Sequence, residues 1–116
     1  MDTLVRVNPL CHLSDIPESG AAAVDAVLHD GADSVIVLRR DGQVHAYLNV
    51  CPHAGRRLDY APGKFLLRND TLTCAVHGAT FQQASGLCIG GPCCGDSLRE
   101  IPLCIEGDEV YLGEGA

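Results

Sequence analysis

Two short segments hold the residues of this chain best suited to binding a metal: Cys51-Pro-His53 and Cys74-Ala-Val-His77. Together they offer two thiolates and two imidazoles. Such a donor set can hold one tetrahedral zinc. It can equally hold a [2Fe–2S] cluster, with the cysteines on one iron and the histidines on the other. Zinc sites of this composition usually group cysteine with cysteine and histidine with histidine, a few residues apart. Here each cysteine is partnered by a histidine, and twenty residues separate His53 from Cys74. That order weighs against a zinc finger, with a structural zinc left as the alternative.

The donors need strands to present them. Each pair falls where an apolar alternating run ends and the chain turns, so the turn also exposes backbone N–H groups. Val44-His-Ala-Tyr-Leu-Asn49 leads into the first pair. Phe65-Leu-Leu-Arg68 and Thr71-Leu-Thr-Cys74, joined by Asn69-Asp70, lead into the second. The strongest hairpin signal is Arg40-Asp-Gly-Gln43, between Ser34-Val-Ile-Val-Leu-Arg39 and Val44–Asn49. Further pairs are Thr80-Phe-Gln82 with Leu87-Cys-Ile89, and Leu98–Ile105 with Glu109–Leu112. Leu4–Val7 reads as a first strand, and Cys11 to Pro17 as a loop or short strand. Ala23–Leu28 is read as a strand although its alanines suit a helix, because the segment is short and ends at His29-Asp-Gly31. The prediction is one all-β domain over 1–116, an antiparallel β-sandwich or barrel. Two ligand hairpin loops, forming a small metal-binding subdomain at about 49–92, are expected at one end of it.

At 116 residues the chain can bury a modest core and gains from a metal staple. Its net charge of −7 argues against nucleic acid or an anionic membrane surface as partner. The same charge suits docking on a basic protein, or serves solubility alone. No apolar run approaches the ~20 residues of a membrane span, and Met1-Asp-Thr-Leu-Val-Arg6 does not read as a secretory signal. Seven cysteines is an odd number, which speaks against a disulfide framework. Reduced cytoplasm fits, with two cysteines as ligands and five spare.

The residues after the ligands add to this. They run His53-Ala-Gly55, His77-Gly-Ala-Thr-Phe81 and then Gly90-Gly-Pro92. In that order they closely resemble a Rieske domain, specifically the small soluble Rieske-type ferredoxins. The similarity extends from Asp15-Ile-Pro17 through Asp41-Gly-Gln-Val44 to Glu106-Gly-Asp-Glu-Val-Tyr111. It implies one [2Fe–2S] cluster, with Cys51 and Cys74 on the inner iron and His53 and His77 on the outer. It also places Pro92 in a third loop that shields the cluster. High-potential Rieske proteins of bc-type complexes carry an extra cysteine in each ligand loop; Arg56 and Val76 stand there instead. Those proteins also carry serine and tyrosine hydroxyls after the second histidine, where this chain has Ala79 and Phe81. The resemblance therefore implies a potential near the low end of the Rieske range, about −150 to −50 mV.

Large oxygenase subunits join a Rieske domain to a second domain with mononuclear iron, for which this length leaves no room. The implied role is thus a separate monomeric carrier, taking electrons from a flavin-dependent reductase to a terminal oxygenase of aromatic-ring dioxygenase type. It would transform no organic substrate itself. A small Rieske subunit of a nitrite-reductase-like complex, or a zinc-stapled interaction domain, are the alternatives.

Other residues receive plainer readings. Cys88 and Cys104 read as core fillers in strands, and Cys93-Cys94 as loop packing, with a vicinal disulfide as the alternative. Cys11 has no evident partner, and His12, His29 and His45 read as surface or satisfied histidines. Arg56-Arg57 serves either docking or charge compensation beside the first ligand loop. Asp96, Glu100, Glu106, Asp108, Glu109 and Glu114 read as a solvated face.

Overall fold

The structure is a computed structural model, described for residues 9–28, 31–40, 42–50, 58–59, 64–68, 70–74, 78–91 and 95–114. In chain order the strands are β1 (Cys11–His12), β2 (Gly20–Leu28), β3 (Gly31–Arg40), β4 (Gln43–Leu48) and β5 (Leu66–Arg68). They continue with β6 (Thr71–Thr73), β7 (Thr80–Gln82), β8 (Cys88–Gly90), β9 (Leu103–Glu106) and β10 (Glu109–Leu112). One 3-10 turn, Leu13–Asp15, follows β1. The strands form three antiparallel sheets, ordered β1-β10-β9, β2-β3-β4 and β5-β6-β7-β8. The all-β expectation holds, and the Leu4–Val7 strand expectation lies outside the described residues.

The central sheet is covered on both faces, and β3 shows why. Its run Val35-Ile-Val-Leu38 is buried throughout, while successive side chains of a strand point to opposite faces. Val35 and Val37 join Cys11, Ile16, Ala26, Leu28, Ala46, Ile101 and Val110 in one cluster. Ile36 and Leu38 join Tyr47, Leu58, Leu72, Cys74, Ala79, Phe81, Cys88 and Leu98 in another. The first cluster meets the β1-β10-β9 sheet, and the second meets the β5-β6-β7-β8 sheet. Both candidate ligand loops stand on the second.

Several strand bounds shift, β3 starting at Gly31 rather than Ser34 and β8 running Cys88–Gly90 rather than Leu87–Ile89, and two of the shifts have a clear physical reason. β2 begins at Gly20 rather than Ala23, because all its residues pair with β3, from Gly20↔Arg39 to Leu28↔Gly31. Pairing against a β-branched strand overrides alanine's helix preference. Of Leu98–Ile105, only Leu103 onward is strand. Pro102 lacks the N–H a ladder requires, and the preceding segment stitches between sheets instead. Leu98 N–H donates to Gly86 O (2.8 Å) and Ile101 N–H to Ala46 O (2.9 Å), while Arg99 O accepts from Leu48 N–H (2.9 Å).

Tyr47 locks the interface between the central and four-stranded sheets. It is fully buried, and its hydroxyl donates to Gln83 O at 2.7 Å. Burial, aided by the charge of Glu100, pushes its pKa up to about 12. Gly86 makes room for the ring: a Cβ there would lie 2.8 Å from Tyr47 Cε1.

Candidate metal centre

The second ligand loop grows from the end of β6. Cys74 follows Thr73, has no exposed surface and sits in the second core cluster. Its N–H donates to Ala79 O at 2.7 Å, and its carbonyl accepts from Gly78 N–H at 3.0 Å. These bonds hold Gly78 and Ala79 against Cys74. Gly78 adopts the left-handed region, φ +73°, which glycine enters without strain. His77 itself lies outside the described residues.

The first ligand loop grows from the end of β4. Asn49, the residue after Leu48, is 1% exposed. Its N–H donates to Ser34 O at 2.9 Å. Its side-chain amide reaches both ways, donating from Nδ2 to Ser34 Oγ at 3.2 Å and accepting Leu58 N–H on Oδ1 at 2.9 Å. Leu58 is the far foot of this loop and is fully buried beside Cys74 and Ala79. The feet of the two ligand loops therefore share one core. Cys51, His53, Arg56 and Arg57 lie outside the described residues.

The third loop leaves β8, where a β-bulge shifts the register between Thr80↔Gly90 and Phe81↔Cys88. Cys88 Sγ lies 3.1 Å from Gly90 O. Gly91 has φ +88°, and a Cβ on it would come within 2.8 Å of Ala79 Cα and 3.1 Å of Gly78 O. The third loop thus lies directly against the second ligand loop, at a spacing only glycine permits. Pro92 is the next residue and lies outside the described residues, as do Cys93 and Cys94.

The described residues fit a small buried metal group bound through sulfur. Cys74 offers a thiol in a water-free position between the feet of two loops, with a third loop packed alongside. Ala79 and Phe81, both fully buried, bring no hydroxyl to the site. Among the described residues no three His, Cys, Asp or Glu side chains gather into a metal-binding group; three of the four ligand candidates lie beyond them.

The remaining cysteines differ from one another. Cys88 is buried, in keeping with a core filler, but Cys104 is only half-buried and its Sγ stands 4.0 Å from Glu106 Oε2. Cys88 packs into the second core cluster, which Cys104 does not join. Cys11 is buried, and its thiol pKa is raised by burial and then by nearby Asp15. His12 is exposed and His45 half-buried, while His29 lies outside the described residues. The acids of the predicted solvated face are exposed except Glu109, which is half-buried and accepts the Tyr111 hydroxyl at 2.8 Å.

Sequence reasoning missed Asn49 and Ser34 as builders of the site, while Gly91 lies in the Gly90-Gly-Pro92 segment it had singled out. A polar residue between a strand's last apolar position and a candidate ligand was the available signal for Asn49. Its burial became visible only in three dimensions.

Comparison with known proteins bears on the family and the fold. The family model for the Rieske [2Fe-2S] domain matches residues 6–102. The ferredoxin component of biphenyl 2,3-dioxygenase from Rhodococcus jostii (strain RHA1) is 30% identical over 102 residues, covering 86% of this chain and 91% of that protein. Apoptosis-inducing factor 3 of Homo sapiens is 29% identical over 103 residues; the match covers 89% of this chain but only 16% of that much longer protein. Among solved structures, a chain in the complex of reduced oxygenase and oxidized ferredoxin in carbazole 1,9a-dioxygenase superposes with a TM-score of 0.75 at 26% identity. That match covers 93% of this chain and 92% of the other. No helix among the described residues is long and apolar enough to cross a membrane.

Proposed function

This chain belongs to the Rieske [2Fe–2S] domain family, and we propose that it is a one-electron carrier between a flavin-dependent reductase and a terminal ring-hydroxylating oxygenase. One observation carries the reading: Cys74 is buried, with Gly78 and Ala79 bonded to it, on the same core as the far foot of the loop that holds Cys51 and His53. Cys51 and Cys74 would hold the inner iron of the cluster, and His53 and His77 the outer. When bound, the cluster supplies reversible one-electron chemistry.

The chain's own residues set how that chemistry is used. The zero exposure of Cys74 keeps water from an inner thiolate. Neutral imidazoles on the other iron leave the cluster less negative than an all-cysteine ligand set, which raises its potential. Ala79 and Phe81 add no hydroxyl donors to cluster sulfur, which keeps the potential near the low end of the Rieske range, about −150 to −50 mV. Pro92, following the glycine that abuts the second ligand loop, shields the cluster. Its assignment rests on the packing of Gly91.

A relative named as a ferredoxin component, and a likeness to a structure of an oxygenase–ferredoxin complex, support the partner assignment. The carrier works as a cytoplasmic monomer that leaves each partner after transfer. Iron and inorganic sulfide assays on anaerobically purified protein are the test. Equal amounts of both, at two per chain, are expected for this cluster type. One zinc per chain with no sulfide contradicts the assignment.

A further inference from the structure

Asn49 sits where three parts of the molecule meet: β3 at Ser34, the end of β4, and the far foot of the first ligand loop at Leu58. Leu58 N–H can only donate, so it fixes the side-chain oxygen of Asn49 on its own side. The amide nitrogen must then face Ser34 Oγ. Ser34 is itself held, its N–H donating to Asp33 Oδ1 at 2.9 Å. Asn49 is 1% exposed and Ser34 7%, so water cannot readily replace these bonds. Leu58 and Asn49 are nine positions apart, and the loop between them carries both Cys51 and His53.

We propose that Asn49 is the positioning residue of the first ligand loop, clamping its two feet together and to the central sheet so that Cys51 and His53 are held at a fixed approach to the cluster. This rests on the Rieske reading above. Position 49 demands an acceptor toward Leu58 and a donor toward Ser34 at one side-chain length. Leucine would match the volume and provide neither. Aspartate would keep the acceptor for Leu58, and the Ser34 hydroxyl can rotate to donate to it. The two substitutions therefore separate hydrogen bonding from space filling.

The test compares cluster-loaded wild type with Asn49→Leu, Asn49→Asp and Ser34→Ala. It follows bleaching of the visible absorbance in aerated buffer, the midpoint potential by dye-mediated titration, and thermal melting. Asn49→Leu is expected to bleach about tenfold faster than wild type and to shift the midpoint potential, since one or two buried bonds are lost. Asn49→Asp should bleach within about threefold of wild type, and Ser34→Ala should fall between. Should Asn49→Leu fail to fold, Ser34→Ala decides: faster bleaching with unchanged melting is expected, and wild-type bleaching overturns the proposal. Asn49→Leu behaving as wild type, or Asn49→Asp failing as badly as Asn49→Leu, also overturns it. A wild type with no visible spectrum would overturn the Rieske reading itself, and this inference with it.

Discussion

Cys74 and its immediate neighbours make the most specific predictions at the scale of single residues. The family resemblance puts Ala79 and Phe81 at the two positions where hydroxyls would raise a cluster's potential. Introducing Ala79→Ser should therefore raise the midpoint potential measured by dye-mediated titration, and a lowered or unchanged value would count against the assigned geometry. Tyr47 makes a different kind of prediction. Its pKa is raised from 10.0 to about 12, first by burial and second by Glu100. Between these values the unfolded chain has lost the phenolic proton while the folded chain keeps it, so stability falls as pH rises. Denaturant unfolding followed between pH 10.0 and about 12 should show this loss in wild type. Tyr47→Phe should flatten that slope while costing about 1 kcal/mol at neutral pH for the lost bond to Gln83 O.

Among the elements, the contact between third loop and second ligand loop is the most demanding. Gly91 combines φ +88° with a Cβ position 2.8 Å from Ala79 Cα, so Gly91→Ala must push the two loops apart. It should speed cluster loss, read as bleaching of the visible absorbance, more than it lowers the melting temperature. Much of the element order was legible in advance. Asp41-Gly42 between two alternating runs fixes the β3–β4 hairpin, and the structure pairs Arg40 with Gln43 across it. Residue types and spacing mark the ligand loops in the sequence, and of their four donors only Cys74 lies among the described residues. The start of β2 and the course of Leu98–Ile101 were not, for a shared reason. Alanines take their conformation from the strand they pair with, and Leu98–Ile101 follows bonds to Gly86, Leu48 and Ala46 that no local pattern encodes. Asn49 was equally opaque, because a strand-end asparagine looks the same in sequence whether it faces water or pins a loop.

For the molecule as a whole, a net charge of −7 and the exposed acids Asp96, Glu100, Glu106 and Asp108 favour encounter with a basic partner. Electron transfer to such a partner should slow as salt rises from about 10 mM to 150 mM, where the Debye length shrinks to about 8 Å. Stopped-flow reoxidation of the reduced protein by cytochrome c, used as a basic probe, would read this; a salt-independent rate argues against charge steering. The β3 run Val35–Leu38, buried throughout, stands between the two core clusters, and the foot residues Leu58 and Cys74 pack on one of them. The most direct test of the account is an EPR spectrum of the anaerobically purified protein before and after dithionite. The account predicts a silent, reddish-brown oxidised form that gains a rhombic signal on reduction, with an average g below the free-electron value. A colourless protein that stays silent on reduction and holds stoichiometric zinc would contradict it.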